Sequence, residues 1–532
     1  MQNTPTTKRD RWLLALLVFV AVYTAVFAAL WIRRHEVLFS YEWEDDAARN
    51  QMIYNTLRGR PFWSSIKGVY LGGHASLVWA ALAVPSLIHP GIETACIVLT
   101  LALGLTAVPV YLVARDVLGS RGEAFVLGVA CLLYAPLHAV NLHTLNAVTP
   151  AVPLLAWAYW AFHRKRYWTF LGFAFGAMLC KEDIAMAVIM FGLYALLRRR
   201  RWRWSVAPMA AGAVWLVIAF KVILPATYPK EHTSATWLIG AVQSKAEGGP
   251  GGVVGAAQWM GRHPGITVKW MYAMRRCILL PFAQVFVPVV LVCVLAPGAL
   301  LMAVPALGLL LVHSPPLPLY HRHWIAPALP FILMATVLGC ARVKRYFARR
   351  GRPVTTPYAV VLAAVLVGCA VSNVTPNIIG FIRTDWGWPQ PPEAMREATT
   401  IYDPVFYRHT DRSRDAWALI RQIPPDASVS ASGDLLVPLS ARSVLYEVLD
   451  DRVPWRDVDY LLINTRLIHL GAGNYRLALA ESDKGMVSDE FLPELHRRRV
   501  KRCIDDMLRS GRWTLVDQCG DISLLRRVRS SR

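Results

Sequence analysis

Apolar stretches alternate with short polar breaks through the first three-quarters of the chain. They run near Leu13–Trp31, Ile92–Ala114, Ala124–Ala139, Val148–Phe162, Tyr167–Cys180, Ile184–Leu197, Trp204–Leu224, Cys277–Leu295, Ala299–Val312, Trp324–Ala341 and Tyr358–Val371. A helix that crosses the hydrocarbon core needs about 20 apolar residues, fewer when neighbours shorten its path. The pattern therefore predicts an α-helical polytopic membrane protein with about 11 transmembrane helices. Ala75–Ile88 is ambiguous. If it spanned, the basic runs His163–Arg166, Arg198–Arg203 and Arg342–Arg352 would all face outward. If it lies as a half-helix at the outer face, all of them fall inside together with Lys8, Arg9 and Arg11. Basic loops stay in the cytoplasm, so the second arrangement is expected, with the N-terminus in and the C-terminal part out.

From about Phe381 the pattern becomes that of a soluble domain. Ala427–Ser432, Ser443–Val448 and Tyr460–Asn464 read as strands, Asp411–Gln422 and Glu490–Ser510 as helices, and Trp513–Asp517 with Ile522–Leu525 as a closing hairpin. The expected organisation is a transmembrane domain over residues 1–380, with outer loops 33–91 and 226–276, and an outer-face soluble α/β domain over 381–532.

Composition sharpens this picture. With 532 residues, 55% of them hydrophobic, and a mean hydropathy of +0.37, the bilayer is the solvent the chain is built for. The formal charge of +22 comes from short runs beside apolar spans, so it reports topology and not a nucleic-acid surface. Leu13–Trp31 follows basic residues as a signal peptide would, but is long and lacks a clear small-residue cleavage site; it reads as a retained anchor. Seven cysteines lie in or beside apolar spans as small core residues. Cys503 and Cys519 fall in the polar tail, where an oxidising compartment would permit a disulfide.

The candidate chemistry lies on the outer side. Glu42-Trp43-Glu44-Asp45-Asp46 opens a stretch with helical spacing that Gly59 and Pro61 stop. Acids there suit the helix dipole, yet capping needs one acid and not four. Crowded carboxylates raise one pKa toward a general base or recruit a divalent cation. Lys181-Glu182-Asp183 interrupts an apolar stretch, where ionised groups are tolerated at an interface or facing a polar cavity. It reads either as a tight polar hairpin or as a phosphate-binding cation with its orienting acids. His313–His323 is a Pro-rich loop that could bind an anion or a metal, or could anchor Trp324 at the interface. Arg275-Arg276 breaks the positive-inside tendency, which an anionic ligand or lipid headgroups would explain. Glu247–Gly252 is Gly-rich without phosphate-loop spacing and reads as a linker, with a mobile lid as the alternative. No nucleotide-binding or nucleophile-elbow motif occurs in the tail.

Asp45 followed by Gln51, then Asn55-Thr56-Leu57-Arg58-Gly59, His74-Ala75-Ser76, Cys180-Lys181-Glu182-Asp183 and Tyr320-His321-Arg322-His323 with Pro327 and Pro330 resembles the membrane family catalogued as domain of unknown function 2079. The resemblance covers nearly the whole chain. That family is in turn similar to the GT-C class of integral-membrane glycosyltransferases, which use polyprenyl-phosphate sugars and keep an acidic motif in the first outer loop. The resemblance implies Asp45 as base or metal ligand, with Glu44 and Asp46 as rivals. It implies substrate-binding positions at Gln51, His74, Lys181, Glu182, Asp183, Arg275, Arg276, His321 and His323. Any metal would be a divalent cation held by Asp45 and Glu44. Asn50 stands where the family often has a second Asp, which weakens a two-acid metal site unless Glu42, Glu44 and Asp46 compensate. The implied function is transfer of a sugar from a polyprenyl-phosphate donor to a cell-envelope acceptor at the outer face of the cytoplasmic membrane, with no nucleic-acid partner. The rival readings are a transporter or lipid flippase, which needs polar groups at mid-span that are nearly absent here, and a non-catalytic scaffold.

Overall fold

The computed structural model describes residues 10–528 apart from 41, 72, 228–260, 274, 313–318, 351–354, 375–400, 449, 451–452 and 466–491. The chain is mostly helical up to Val371 and closes on a five-stranded sheet. Among the described residues five helices are long and apolar enough to cross a membrane: Arg11–Glu36, Ile92–Leu118, Arg121–His143, Trp202–Thr227 and His323–Arg349. Shorter apolar helices include Ile184–Leu197, Pro297–Leu309 and Pro357–Val371. Helix α1 (Arg11–Glu36) starts at Asp10, whose side chain accepts from the Leu13 N–H. Leu16, Val20, Tyr23, Phe27 and Trp31, spaced three or four apart, bury one face. Leu14, Val18, Val22 and Val26 leave the opposite face exposed and apolar, as a lipid-facing surface requires.

Prolines set the breaks within these helices. A proline ring clashes with the carbonyl four residues back and gives it no N–H. Pro109 thus coincides with the turn at Leu105-Thr106, between Ile92–Gly104 and Ala107–Leu118. Pro136 does the same at Leu133-Tyr134, and His138 Nε2 reaches the orphaned Leu132 carbonyl in its place. Ala75–Ile88, expected as a half-helix, forms two short pieces, Trp79–Ala83 and Pro85–Leu87.

Two expectations fail here. Cys277–Leu295 is not one span: the helix Arg275–Phe286 ends ahead of Pro288, Val290 and Leu291 take positive φ of 52° and 55°, and Val292–Leu295 is a 3-10 turn. Pro288 cannot donate to Gln284, so the helix cannot continue. The irregular backbone rests on two glycines, since a Cβ at Gly339 would lie 2.1 Å from the Val292 carbonyl oxygen and one at Gly368 2.5 Å from that of Pro288. Non-helical backbone at membrane depth survives only when protein covers it, and these glycines allow the cover. The second failure is His313–His323, expected as a stiff loop. Residues 313–318 lie outside the described part, and Leu319–Ala328 is a 3-10 helix that runs into Leu329–Arg349. Of the loop 226–276, residues 228–260, with Glu247–Gly252, lie outside the described residues, and Pro264–Ala273 is helical.

The tail follows its predicted elements closely. Strands β3 (Val429–Ala431), β4 (Leu445–Glu447), β5 (Tyr460–Asn464), β6 (Trp513–Cys519) and β7 (Ile522–Arg527) lie in the order β4-β3-β5-β7-β6. β3 is parallel to β4 and β5, whereas β7 is antiparallel to β5 and β6. Among the described residues no disulfide joins Cys503 to Cys519. The tail docks on the segment after the first helix: Asn50 donates to Ser440 Oγ at 2.8 Å and Gln51 to the Arg442 carbonyl at 3.1 Å, and Ser65 Oγ accepts from the Leu445 N–H at 2.8 Å.

Alanine at Gly339 or Gly368 is expected to cost about 1–3 kcal/mol each, the usual range for overpacking. Alanine at Gly172, with nothing within 4 Å of its Cβ position, is expected to be neutral. Thermal unfolding of the three variants in detergent checks this, and equal midpoints would refute the seating of 287–295 on these glycines.

Candidate functional site

Helix α2 (Trp43–Thr56) carries Glu44, Asp45 and Asp46 in its first turn, and Glu42 stands at its N-cap without making a side-chain cap bond. Its other face buries Ala47, Ala48, Met52 and Ile53. What gathers the acids is Arg49, one turn further on. Its guanidinium lies 3.1 Å from Glu42 Oε2, 3.1 Å from Asp45 Oδ2 and 3.8 Å from Asp46 Oδ1. It also donates to Thr144 Oγ1 and the Leu145 carbonyl, both at 3.2 Å, which fastens α2 to the segment that follows the Ala135–Asn141 helix. Three carboxylates raise the Arg49 pKa against the opposing effect of burial.

The three acids of the first turn have different surroundings. Asp46 is 2% exposed and accepts from Ser40 Oγ at 2.7 Å, from the Leu145 N–H at 3.0 Å and from Thr144 Oγ1. Burial pushes its carboxyl up to about 6 despite Arg49 and these bonds. Glu44 pairs with Lys67. Asp45 keeps 35% of its side chain exposed and accepts from Tyr70 Oη at 3.1 Å. Burial would raise its pKa, but Arg49, Lys67, the Tyr70 hydroxyl and His74 together hold it below the ordinary value. Lys67 and Tyr70 come from the small hairpin of β1 (Trp63–Ser64) and β2 (Gly68–Val69) and the residues around it. Gln51 is fully buried and accepts from Ser64 Oγ at 2.8 Å and from the Ser65 N–H at 2.9 Å, so it holds the hairpin.

The Lys-Glu-Asp turn is locked to His74-Ala75-Ser76. Glu182 meets His74 Nδ1 at 2.9 Å and accepts from the Ala75 N–H at 3.0 Å, and Ser76 Oγ donates to the Cys180 carbonyl at 2.8 Å. Burial opposes the charge on Glu182, but His74 foremost, then Lys181 and the Ala75 N–H, bring its pKa down to about 2. Lys181 is 3% exposed, pairs with Asp183 at 3.0 Å and lies 4.2 Å from the centre of the Trp324 ring. Of the predicted substrate-binding residues, then, His74, Glu182, Lys181 and Asp183 form one connected group, and His74 links it electrostatically to Asp45. His323 is buried against His143, ring centres 5.3 Å apart. Arg275 and Arg276 begin the helix Arg275–Phe286 and His321 lies in the 3-10 helix; the side chains of all three lie outside the described part.

A family model of predicted membrane proteins, DUF2079, matches residues 34–516. The chain belongs to the DUF2079 family of predicted membrane proteins. Among the curated proteins no match is found. Among solved structures, ArnT from Cupriavidus metallidurans bound to undecaprenyl phosphate is similar at a TM-score of 0.47 and 13% identity, covering 96% of this chain and 98% of that one. The apo form of ArnT is similar at a TM-score of 0.46 and 12% identity, covering 97% and 98%. Likenesses this distant fix neither fold nor function.

Sequence reasoning about this DUF2079 member missed Arg49, Lys67 and Tyr70, and took His143 only as part of the polar stretch His138–Asn146. Arg49 had a local signal: it stands four residues after Asp45 and three after Asp46, the spacing at which helical side chains meet. For Thr144 and His143 the sequence marked the polar stretch but not its partner, since they are about a hundred residues away and reach the acidic turn only through the fold.

Arg49→Met, which strands its carboxylates, is expected to destabilise the protein by about 3–5 kcal/mol. Glu182→Gln is expected to cost about 1–3 kcal/mol at pH 7, the range for losing a hydrogen bond to a charged group. Because the Glu182 pKa is depressed from its ordinary 4.5 to about 2, its contribution is present above pH 4.5 and lost as pH falls toward 2. Unfolding midpoints of wild type and Glu182→Gln should therefore converge at the acid end, and a gap that stays constant with pH would refute the charged contact.

Proposed function

We propose that this chain is a GT-C-like membrane glycosyltransferase that moves a sugar from a polyprenyl-phosphate donor to a cell-envelope acceptor at the outer face of the cytoplasmic membrane, with the sheet domain outside. The observation that carries the reading is the contrast within the acidic turn. Asp46 and Glu44 are held by Ser40, Thr144 and Lys67, while Asp45 is held ionised by Arg49 and Tyr70 and keeps 35% of its side chain exposed. A carboxylate so held can accept a proton at a fixed point. The acceptor hydroxyl oxygen would bond to the anomeric carbon as its proton passes to Asp45. The bond from that carbon to the lipid phosphate breaks in the same step, leaving the electron pair on the phosphate and inverting the anomeric centre.

A cation near the phosphate favours that departure. Lys67, 30% exposed beside Glu44, is suited to this role. Lys181 is enclosed by Asp183 and Trp324 and serves the reading better as a support for the His74–Glu182 turn. Arg275, Arg276 and His321 remain candidates for the headgroup. The docking of Asn50, Gln51 and Ser65 against the tail supports a role for residues 401–528 in shaping the acceptor side. The basic runs His163–Arg166, Arg198–Arg203 and Arg342–Arg352, which the inside bias of basic loops assigns to the cytoplasm, support the proposed sidedness.

Loss of a general base typically costs about 10²–10⁴-fold in rate. Transfer of label from radiolabelled polyprenyl-phosphate sugars to envelope acceptors should fall at least that far in Asp45→Asn membranes, with the protein still folded. Undiminished transfer in that variant would remove Asp45 from the role, and no transfer by wild type from any donor would remove the reading itself.

A further inference from the structure

Beside the acidic turn, three segments far apart in sequence bring together Glu42, His143 and His323. Glu42 is at the N-cap of α2, His143 follows the Ala135–Asn141 helix, and His323 lies in the 3-10 helix Leu319–Ala328. One ligand atom from each lies within 4.8 Å of the others. The two histidines are 5% and 7% exposed, and Glu42 keeps 21% of its side chain exposed. We propose that Glu42, His143 and His323 form a binding site for a divalent transition metal of the zinc class, distinct from the Asp45–Glu44 pair.

Donor chemistry selects this class. Two imidazoles and one carboxylate suit zinc and its borderline neighbours, whereas magnesium and calcium take all-oxygen sets. Metal–donor bonds near 2.0–2.2 Å place tetrahedral ligand atoms about 3.4 Å apart, so side-chain rotation of about an ångström would close the set. Three protein ligands leave a fourth position open, the arrangement of reactive and not purely structural zinc. Ligands that hold a metal well are themselves oriented by outer partners. Arg49 does this for Glu42 at 3.1 Å, and its bonds to Thr144 and the Leu145 carbonyl steady the segment that carries His143. Of the acids around this turn, Glu42 is the one whose carboxylate oxygen lies within reach of both imidazoles. An ion at this site would tie the entry of α2, the 142–145 segment and the entry to Leu329–Arg349 to one point. This inference does not rest on glycosyl transfer, and its test reads metal and not turnover.

The full chain, purified in detergent without a polyhistidine tag and stripped with a chelator, is titrated with Zn2+ and its metal content measured by mass spectrometry. The expected result is one equivalent bound, with a rise in unfolding midpoint on loading. His143→Gln and His323→Gln should each weaken Zn2+ binding by more than the roughly 10–100-fold that loss of an outer partner causes. His163→Gln, at a basic loop elsewhere, should leave binding unchanged. No stoichiometric Zn2+ uptake by wild type, or full uptake by both histidine variants, overturns the site. Should either variant misfold, X-ray absorption of the Zn2+-loaded wild type decides alone: two imidazole nitrogens with oxygen support the assignment, and all-oxygen or sulfur coordination refutes it.

Discussion

A buried guanidinium shared among carboxylates organises the acidic turn and what packs around it. Glu42, Asp45 and Asp46 within a single turn would repel one another, and their common site would be costly to exclude from water. Arg49 resolves the conflict by lying among them and donating onward to Thr144 and Leu145. Pairing of this kind is weak evidence for added stability but strong evidence for register, because removing one partner strands the others. α2 can pack only where its arginine meets the 142–145 segment, and that placement fixes what surrounds Asp45.

The rest of the site is built outward from that point by a mixture of neutral hydrogen bonds and ion pairs. Gln51 holds the β1–β2 hairpin, which delivers Lys67 and Tyr70 to the acids and Ser65 to the sheet domain. The His74 turn, fastened to Glu182 and Cys180, closes the other side. Beneath them the helices are interrupted wherever proline denies a carbonyl its donor. The interruptions are made good individually, by His138 at Leu132 and by glycine-lined contacts under residues 288–295.

Helical breaks and sheet strands were legible in the sequence to different degrees. The strand Tyr460–Asn464 and the helix Ile184–Leu197 have the bounds their patterns predict. Cys277–Leu295 does not, because hydropathy counts apolar residues and is blind to what Pro288 does to the backbone. The acidic turn was found as a cluster of charge, but the differing environments of its members were not. Asp45, Glu44 and Asp46 differ in what the fold places opposite them, and those partners come from residues up to about a hundred positions away.

The sequence by itself therefore determined the membrane character, most of the helical stretches, the strands of the tail and the place of the acidic cluster along the chain. Each of these follows from local rules: apolar length, side-chain period and the inside bias of basic residues. Only the tertiary structure decided that Asp46 is enclosed and Asp45 partly exposed, that Lys181 is enclosed by Asp183 and Trp324, and that His143 and His323 approach Glu42. Burial and pairing are properties of contacts between distant segments. No local pattern encodes which of several like residues the fold will turn toward water.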